Sequence, residues 1–429
     1  MSKDRFAGKH IELFQLPSLI TVDVIDNMLS VASECGASDV MFRSGTEVRA
    51  RVNGAITKIT DVSIDKEDIA RFIGEAETNQ LVTSVTAGHP RSFPYRVISK
   101  GKIQRFRMSV AAVNEERTEQ GMRLVCRPIS SRPPRLQELC LPKDLYEALT
   151  TKNNKGIILI TGETGSGKST LLSSTLDQKA RDEGIHIGTI EDPIEYNLFY
   201  LNNETDSLVG QAGLNSHLHT YSEGLKGLLR DNPDVIMVGE MRDTDTIKLG
   251  VEASRTGHLV YSTLHVTNVA ATVDRICVNF AEGERLAIAL SLIDSLRTVV
   301  NQQLVPTLCQ SCATPVRSDD EMLKETGADL SGARQPCGCD VCANTGYSGR
   351  VPLIEYLVFT NHTRSLLLRT LISEGIQGIT MQLHELTENH GATKLMAATN
   401  AFEAGLISPE VFYAIYLENR TIELVNGNG

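Results

Sequence analysis

One run constrains this chain more than any other: Gly162-Glu163-Thr164-Gly165-Ser166-Gly167-Lys168-Ser169-Thr170. It has the spacing of a phosphate-binding loop, a glycine followed by free positions and then Gly-Lys-Ser. Glycines let backbone N–H groups turn inward and cradle phosphate oxygens without a side chain in the way. The apolar run 156–161 before it reads as a strand and the residues after it as a helix, the context the motif needs. A helix starting near Lys168 aims its positive end at the same anion. Lys168 then reaches the β- and γ-phosphates, and the Ser169 hydroxyl coordinates Mg²⁺. The loop implies ATP-type nucleotide binding but leaves open what the energy is used for.

The rest of the chain divides around that loop. At 429 residues it has room for two domains, or three. Residues 22–32 carry apolar side chains at helical spacing, and Asn53-Gly54 separates two strand-like runs as a hairpin turn would. Further strand-like runs at 95–98, 104–113 and 122–127 predict an α+β N-terminal domain over 1–130. The proline-rich stretch 131–142 reads as a linker. From 156 onward, apolar runs at 186–190, 234–238 and 258–262 alternate with helical segments. That alternation predicts an α/β domain with a parallel sheet over 143–429, ending in helices over about 359–422. Asn426-Gly-Asn-Gly429 reads as a frayed tail.

A formal charge of −11 argues against nucleic acid as a partner, because such binding needs clustered Lys and Arg. No apolar run is long enough to span a bilayer, and the N-terminus has no signal-peptide pattern. The expectation is a cytoplasmic protein.

Hydrolysis at such a loop needs carboxylates for Mg²⁺ and for the attacking water. The apolar run 234–238 ends in Gly239-Glu240, and Thr189-Ile-Glu191-Asp192-Pro193-Ile-Glu195 follows the preceding strand. Ligands in open α/β sheets sit beyond the carboxyl ends of strands, where both acids fall. Gly239 stands where many such enzymes place a metal-binding Asp, so Glu240 is read as polarising water and Glu191 as a further carboxylate. Thr256-Gly-His258-Leu-Val-Tyr-Ser-Thr-Leu-His265 begins and ends a strand with histidines, and His265, at the carboxyl end, is the better placed to sense a γ-phosphate.

The four blocks in order, 162–170, 189–196, 228–243 and 256–265, resemble the Walker A, Asp box, Walker B and His box of the secretion ATPases. That superfamily comprises type II secretion and type IV pilus motors, with conjugative and type IVB secretion relatives. The resemblance continues through Asp274-Arg275-Ile276 and Gly346-Tyr-Ser-Gly-Arg350, and on the N-terminal side through Gly36-Ala-Ser-Asp39 and Arg105-Phe-Arg107-Met. It implies a PAS-like N-terminal domain and a RecA-like ATPase domain assembled as a homohexamer, acting at the inner membrane through a platform protein. By position it makes Glu240 the catalytic carboxylate, Glu191 a metal or water partner, and His265 a γ-phosphate neighbour supported by His258. Arg107 and Arg127 match the arginines that complete such sites; Arg117 aligns loosely, and Arg123 is an additional possibility. Gln302-Gln303-Leu304 departs from the family's Gln-Arg-Leu.

Cys309-x2-Cys312 and Cys339-x2-Cys342 form two Cys-x2-Cys pairs in an insertion over about 305–345. Such pairs are a tetrahedral zinc signature, and four thiolates leave no open position for water, so the implied Zn²⁺ is structural. The type II secretion and pilus-assembly branch carries a similar insertion. Cys337 is left over, and Cys35, Cys126, Cys140 and Cys277 read as small core residues. Two other readings of the whole chain stay open on sequence: a RecA-like nucleic-acid motor and a scaffold that binds nucleotide without hydrolysing it.

Overall fold

Strands that bury chiefly one face build the first of two units, Met1–Ser131 and Arg132–Gly429. The computed structural model describes residues 13–425 apart from 53–54, 100, 115–119, 130–131, 153–154, 215–217, 317–320, 343 and 390–391. The Asn53-Gly54 turn, Arg117 and the 426–429 tail therefore lie outside the described residues.

In the first unit the strands are β1 (Ala37–Arg43), β2 (Thr46–Val52), β3 (Ala55–Ile64), β4 (Arg91–Ser99), β5 (Lys102–Val113) and β6 (Gly121–Ile129). They form one antiparallel sheet in the order β3-β2-β1-β6-β5-β4. Val40, Phe42, Phe106, Met108, Val110, Met122 and Leu124 point to one face. There they pack on helices α1 (Val22–Glu34), α2 (Lys66–Ala76) and α3 (Asn79–Thr86). Their chain neighbours, among them Arg107, Arg123 and Arg127, fall on the opposite face by the two-residue period.

The second unit opens with α4 (Lys143–Thr150) and β7 (Gly156–Thr161), and α5 (Lys168–Asp182) follows the phosphate loop. Its remaining strands are β8 (His186–Glu191), β9 (Leu208–Gly213), β10 (Val235–Val238), β11 (Leu259–Leu264), β12 (Leu296–Leu308), the short β13 (Thr314–Pro315) and β14 (Arg334–Gln335), and β15 (Tyr347–Val358). The main sheet runs β15-β12-β7-β11-β10-β8-β9; every pair is parallel except β12–β15. Ile157, Leu159, Ile236, Val238 and Val260 feed the core on one face. Ile158, Ile160, Ile187, Met237 and Tyr261 feed the other, against Leu171, Leu172 and Leu176 of α5. Burial on both faces is why these strands read as continuous apolar runs.

The proline-rich stretch does not hang free: Leu136 is fully buried, Arg135 pairs with Asp177 at 3.0 Å, and Ser174 Oγ donates to Pro134 O. At the C-terminal end, helices Asn361–Asn389, Lys394–Glu403 and Pro409–Val425 follow β15, and the first breaks at Gly375 (φ 71°). The isolated cysteines divide: Cys126 and Cys277 are buried as expected, Cys35 is half-buried and Cys140 is exposed. Among the described residues no helix is long and apolar enough to cross a membrane.

Candidate active site

The parallel register brings the carboxyl ends of β7, β11, β10 and β8 side by side, and each delivers one of the sought residues. After β7 the loop runs tightly against β12. A Cβ on Gly162 (φ 139°) would fall 2.2 Å from Gln302 O, and one on Gly167 (φ 89°) 2.6 Å from Gln302 Nε2. Only glycine fits these positions. Lys168 is buried, and its Nζ donates to the Gly162 and Glu163 carbonyls at 2.8 Å each. An ammonium has a third N–H, which can serve an anion in the loop. Burial lowers the Lys168 pKa, while the carboxylates of Glu240 and Glu163 pull it back up. Ser169 is exposed in the first turn of α5, and Thr170 Oγ1 lies 2.9 Å from Tyr196 Oη.

Glu191 ends β8 and is 6% exposed. Thr189 Oγ1 and Gln211 Nε2 donate to its Oε1 at 2.7 and 2.8 Å. Burial pushes its carboxyl up to about 7, against the pull of those two hydrogen bonds, and the Glu195 charge adds to the rise. Its ordinary value is 4.5, so folding is penalised as pH climbs past that value and fully so above about 7. A shift of this size corresponds to ~3 kcal/mol. Glu191→Gln should therefore raise the nucleotide-free melting temperature at pH 8 and leave it near wild type at pH 4.5. An equal rise at both pH values would remove the burial account.

Glu240 follows Gly239 beyond β10, and Arg242 Nη2 pairs with its Oε2 at 2.7 Å. His265, just past β11, places Nε2 at 3.7 Å from the same oxygen. Burial first, and then the Lys168 charge, lower the His265 pKa against the pull of Glu240, favouring the neutral imidazole. A Cβ at Gly239 would lie 3.1 Å from Tyr221 Oη and 3.2 Å from Ile190 O. A side chain at that position would therefore crowd Tyr221 and the Ile190 carbonyl. Burial and the nearby Asp192 and Glu240 carboxylates push this tyrosine's pKa up to about 12. Gln211, Tyr221 and Arg242 are site neighbours that the sequence does not single out, and Gln302, noted there only as part of a departure from the family's Gln-Arg-Leu, lies against the loop glycines.

Other expected residues fall elsewhere. His258 precedes β11 at its amino end, where its carbonyl accepts from Gly156 N at the start of β7. The length of β11, six residues, separates it from His265, roughly 20 Å of strand. Its Nδ1 lies 3.0 Å from Ala253 O in the last turn of the preceding helix, so His258 caps that helix and is not brought to the phosphate loop. Arg107 and Arg127 belong to the first unit and face each other across β5–β6; Arg127 Nη2 pairs with Asp39 at 2.8 Å. Arg123 lies opposite Ala111 on the same strand pair.

The four insertion cysteines converge in the connection between β12 and β15. Cys309, Cys312, Cys339 and Cys342 hold their Sγ atoms within 4.8 Å of one another. Three of the Sγ···Sγ separations are 3.9, 3.8 and 3.8 Å. A tetrahedral ion with ~2.3 Å bonds to sulfur requires edges of about 3.8 Å, so this set fits zinc. Backbone N–H groups of Gly338, Cys339 and Gly346 point at Cys312 or Cys342 sulfurs at 3.2–3.3 Å, as anionic thiolates require. Cys337 is exposed and outside the group.

A family model described as "Type II/IV secretion system protein" matches residues 17–406. The chain belongs to this family. It is 33% identical over 281 residues to the type IV pilus retraction ATPase PilT of Pseudomonas aeruginosa, covering 66% of this chain and 78% of that one. It is 38% identical over 237 residues to a twitching motility protein of Neisseria gonorrhoeae, covering 54% of this chain. The chain spans 60% of the length of that relative. Among solved structures, the Legionella pneumophila ATPase DotB is 30% identical, with a TM-score of 0.75 over 97% of this chain and all of that one. As a member of the type II/IV secretion system family, the chain has the mixed sheet, RecA-like core and C-terminal helices expected from its sequence.

Proposed function

We propose that this chain is a homohexameric ATPase that drives a pilus, secretion or conjugation apparatus from the cytoplasmic face of the inner membrane, acting through a platform protein. One observation carries the reading: Lys168, His265, Glu240 and Glu191 stand at the carboxyl ends of four adjacent parallel strands. In it, the loop N–H groups, Lys168 and the α5 terminus hold the phosphates, and Ser169 and Glu191 hold Mg²⁺. Glu240 takes the proton of the attacking water, and neutral His265 contacts the γ-phosphate. Arg107 and Arg127 take part in stabilising phosphate charge on the strength of the motif match alone. The four thiolates hold a structural Zn²⁺, which supplies rigidity to the insertion and no open coordination site. The named relatives, a twitching motility protein and a pilus retraction ATPase, support force generation as the use of the energy.

The reading is tested in the native host by replacing the gene with a Lys168→Ala allele. Pilus dynamics, protein export or DNA transfer should fail while the protein accumulates normally, and mass measurement with Mg²⁺ and nucleotide should give a six-chain particle. Wild-type behaviour in all three assays would overturn the motor reading. Hydrolysis that rises with single-stranded DNA and collapses with salt would favour a nucleic-acid motor instead.

A further inference from the structure

The loop after β11 carries His265 and runs to the helix Thr272–Cys277. Side chains from three later elements grip it within four residues. Asn301 Nδ2 of β12 donates to Val266 O at 2.9 Å, and also to Thr161 Oγ1 at the mouth of the phosphate loop. Lys394 Nζ, in the first turn of the helix Lys394–Glu403, donates to Thr267 O at 2.8 Å. Glu355 Oε1 of β15 accepts from Val269 N at 2.6 Å. Glu355 is 8% exposed and sits directly across the ladder from Asn301.

A carboxylate in so buried a place needs a reason, because desolvation disfavours its charge. Burial does raise its pKa, while the Val269 N–H and the Lys394 and His384 charges work the other way. Fold stability alone would be served as well by an apolar residue filling the volume. Glu355 instead spends its acceptor on the backbone of the loop that ends at His265, and Lys394 ties the same loop to a C-terminal helix. Peptide geometry allows little slack over the three residues between His265 and Val269.

We propose that Glu355 and Lys394 are positioning residues for His265, so that the C-terminal helices set the alignment of the ATP site. This rests on the reading of His265 as a γ-phosphate contact. A rigid-body shift of the helix Lys394–Glu403 moves Thr267 and, through it, the imidazole. The side chains touch neither nucleotide nor metal, so their loss changes turnover and spares nucleotide affinity.

The test is a kinetic cycle on the full chain with Mg²⁺-ATP. Lys394→Met and Glu355→Ala should each lower kcat about tenfold and leave ADP affinity within about twofold, the signature of a misplaced catalytic group. Glu355→Gln keeps an oxygen for the Val269 N–H and should recover most of the lost turnover, which a purely electrostatic role would not permit. In a His265→Ala background either change should cost less than about twofold more, because they act through the residue already removed. Full multiplication of effects on an impaired His265→Ala enzyme, or wild-type kcat in Lys394→Met, overturns the positioning role and leaves the His265 reading intact. Wild-type turnover in His265→Ala overturns the His265 reading itself. If Glu355→Ala fails to fold, the Lys394→Met arm of the cycle carries the same decision.

Discussion

Glu240→Gln is expected to cut ATP turnover roughly a thousandfold while nucleotide affinity stays within a factor of about three. Glutamine keeps the size and the hydrogen-bonding reach of the side chain but cannot take the proton from the attacking water. Its removal leaves the phosphate cradle untouched, because Lys168 and the loop backbone supply that. Lys168→Ala should differ in kind. It removes a cation that is buried and bonded to the Gly162 and Glu163 carbonyls, so binding and turnover fall together. His258→Ala serves as the contrast, since it lies at the far end of β11 and should leave kcat within about twofold. Phosphate release measured beside a fluorescent-nucleotide titration separates the three. Glu240→Gln with wild-type turnover would remove this carboxylate from the chemistry, and a loss of affinity equal to the loss of turnover would make it a binding residue.

The part of this site that the sequence displays is the part built on doubly buried parallel strands. β7, β8, β10 and β11 are short apolar runs because both their faces are covered, and the chemistry-bearing residue stands just beyond each run. The strands flanking them were hidden for a physical reason. β12 carries Asn301, Gln302 and Gln303 in its middle, and a polar triplet ends a strand by any hydropathy reading. Asn301 and Gln302 are nonetheless nearly fully buried. Asn301 is satisfied by Thr161 Oγ1 and Val266 O, and Gln302 lies along the loop glycines. Their polarity belongs to the site they support. Gly239 is similar: sequence flags a missing aspartate, and only the structure shows how closely Tyr221 Oη and Ile190 O approach that position. Helix α2 has legible signals, an aspartate, Asp65, at the N-cap position and Ile69, Phe72 and Ile73 on one face, but they are short beside the strand patterns around them, and the Asp65 side chain makes no capping hydrogen bond. The two histidines of the His box both bound a strand, and position at its carboxyl end already favours His265 in the sequence. Strand direction in a parallel sheet makes one a site residue and the other a helix cap.

Stripping the four-thiolate site is the second large effect expected, and its consequences should be confined. The insertion connects β12 to β15, whose ladder closes at Leu308 and Tyr347, just outside the cysteines. Among its described residues the secondary structure is slight: a two-residue ladder between β13 and β14, a short helix at Glu321–Lys324 and a 3-10 turn at Asp340–Cys342. It leans on a small core in which Leu323 and Ala333 meet Val305, Leu353, Phe402 and Phe412. So little burial does not offset the entropy of ordering the connection, and on the proposed reading a zinc ion would supply the difference. The purified chain should contain about one zinc per subunit, as two Cys-x2-Cys pairs require. Cys339→Ser, or a strong chelator under mild denaturant, should release it and lower the melting temperature by roughly 10 °C, in line with a few kcal/mol for a unit of this size. Proteolysis should then open within 309–346 first, while nucleotide affinity changes less than about twofold, because a closed site of four thiolates has no part in phosphate binding. Cys337→Ser should retain the metal, since that thiol is exposed and stands apart from the other four. A zinc-free preparation with the same melting temperature would dismiss the metal, and a Cys339→Ser chain that loses nucleotide first would place the cluster in the ATP site's support and not in the insertion alone.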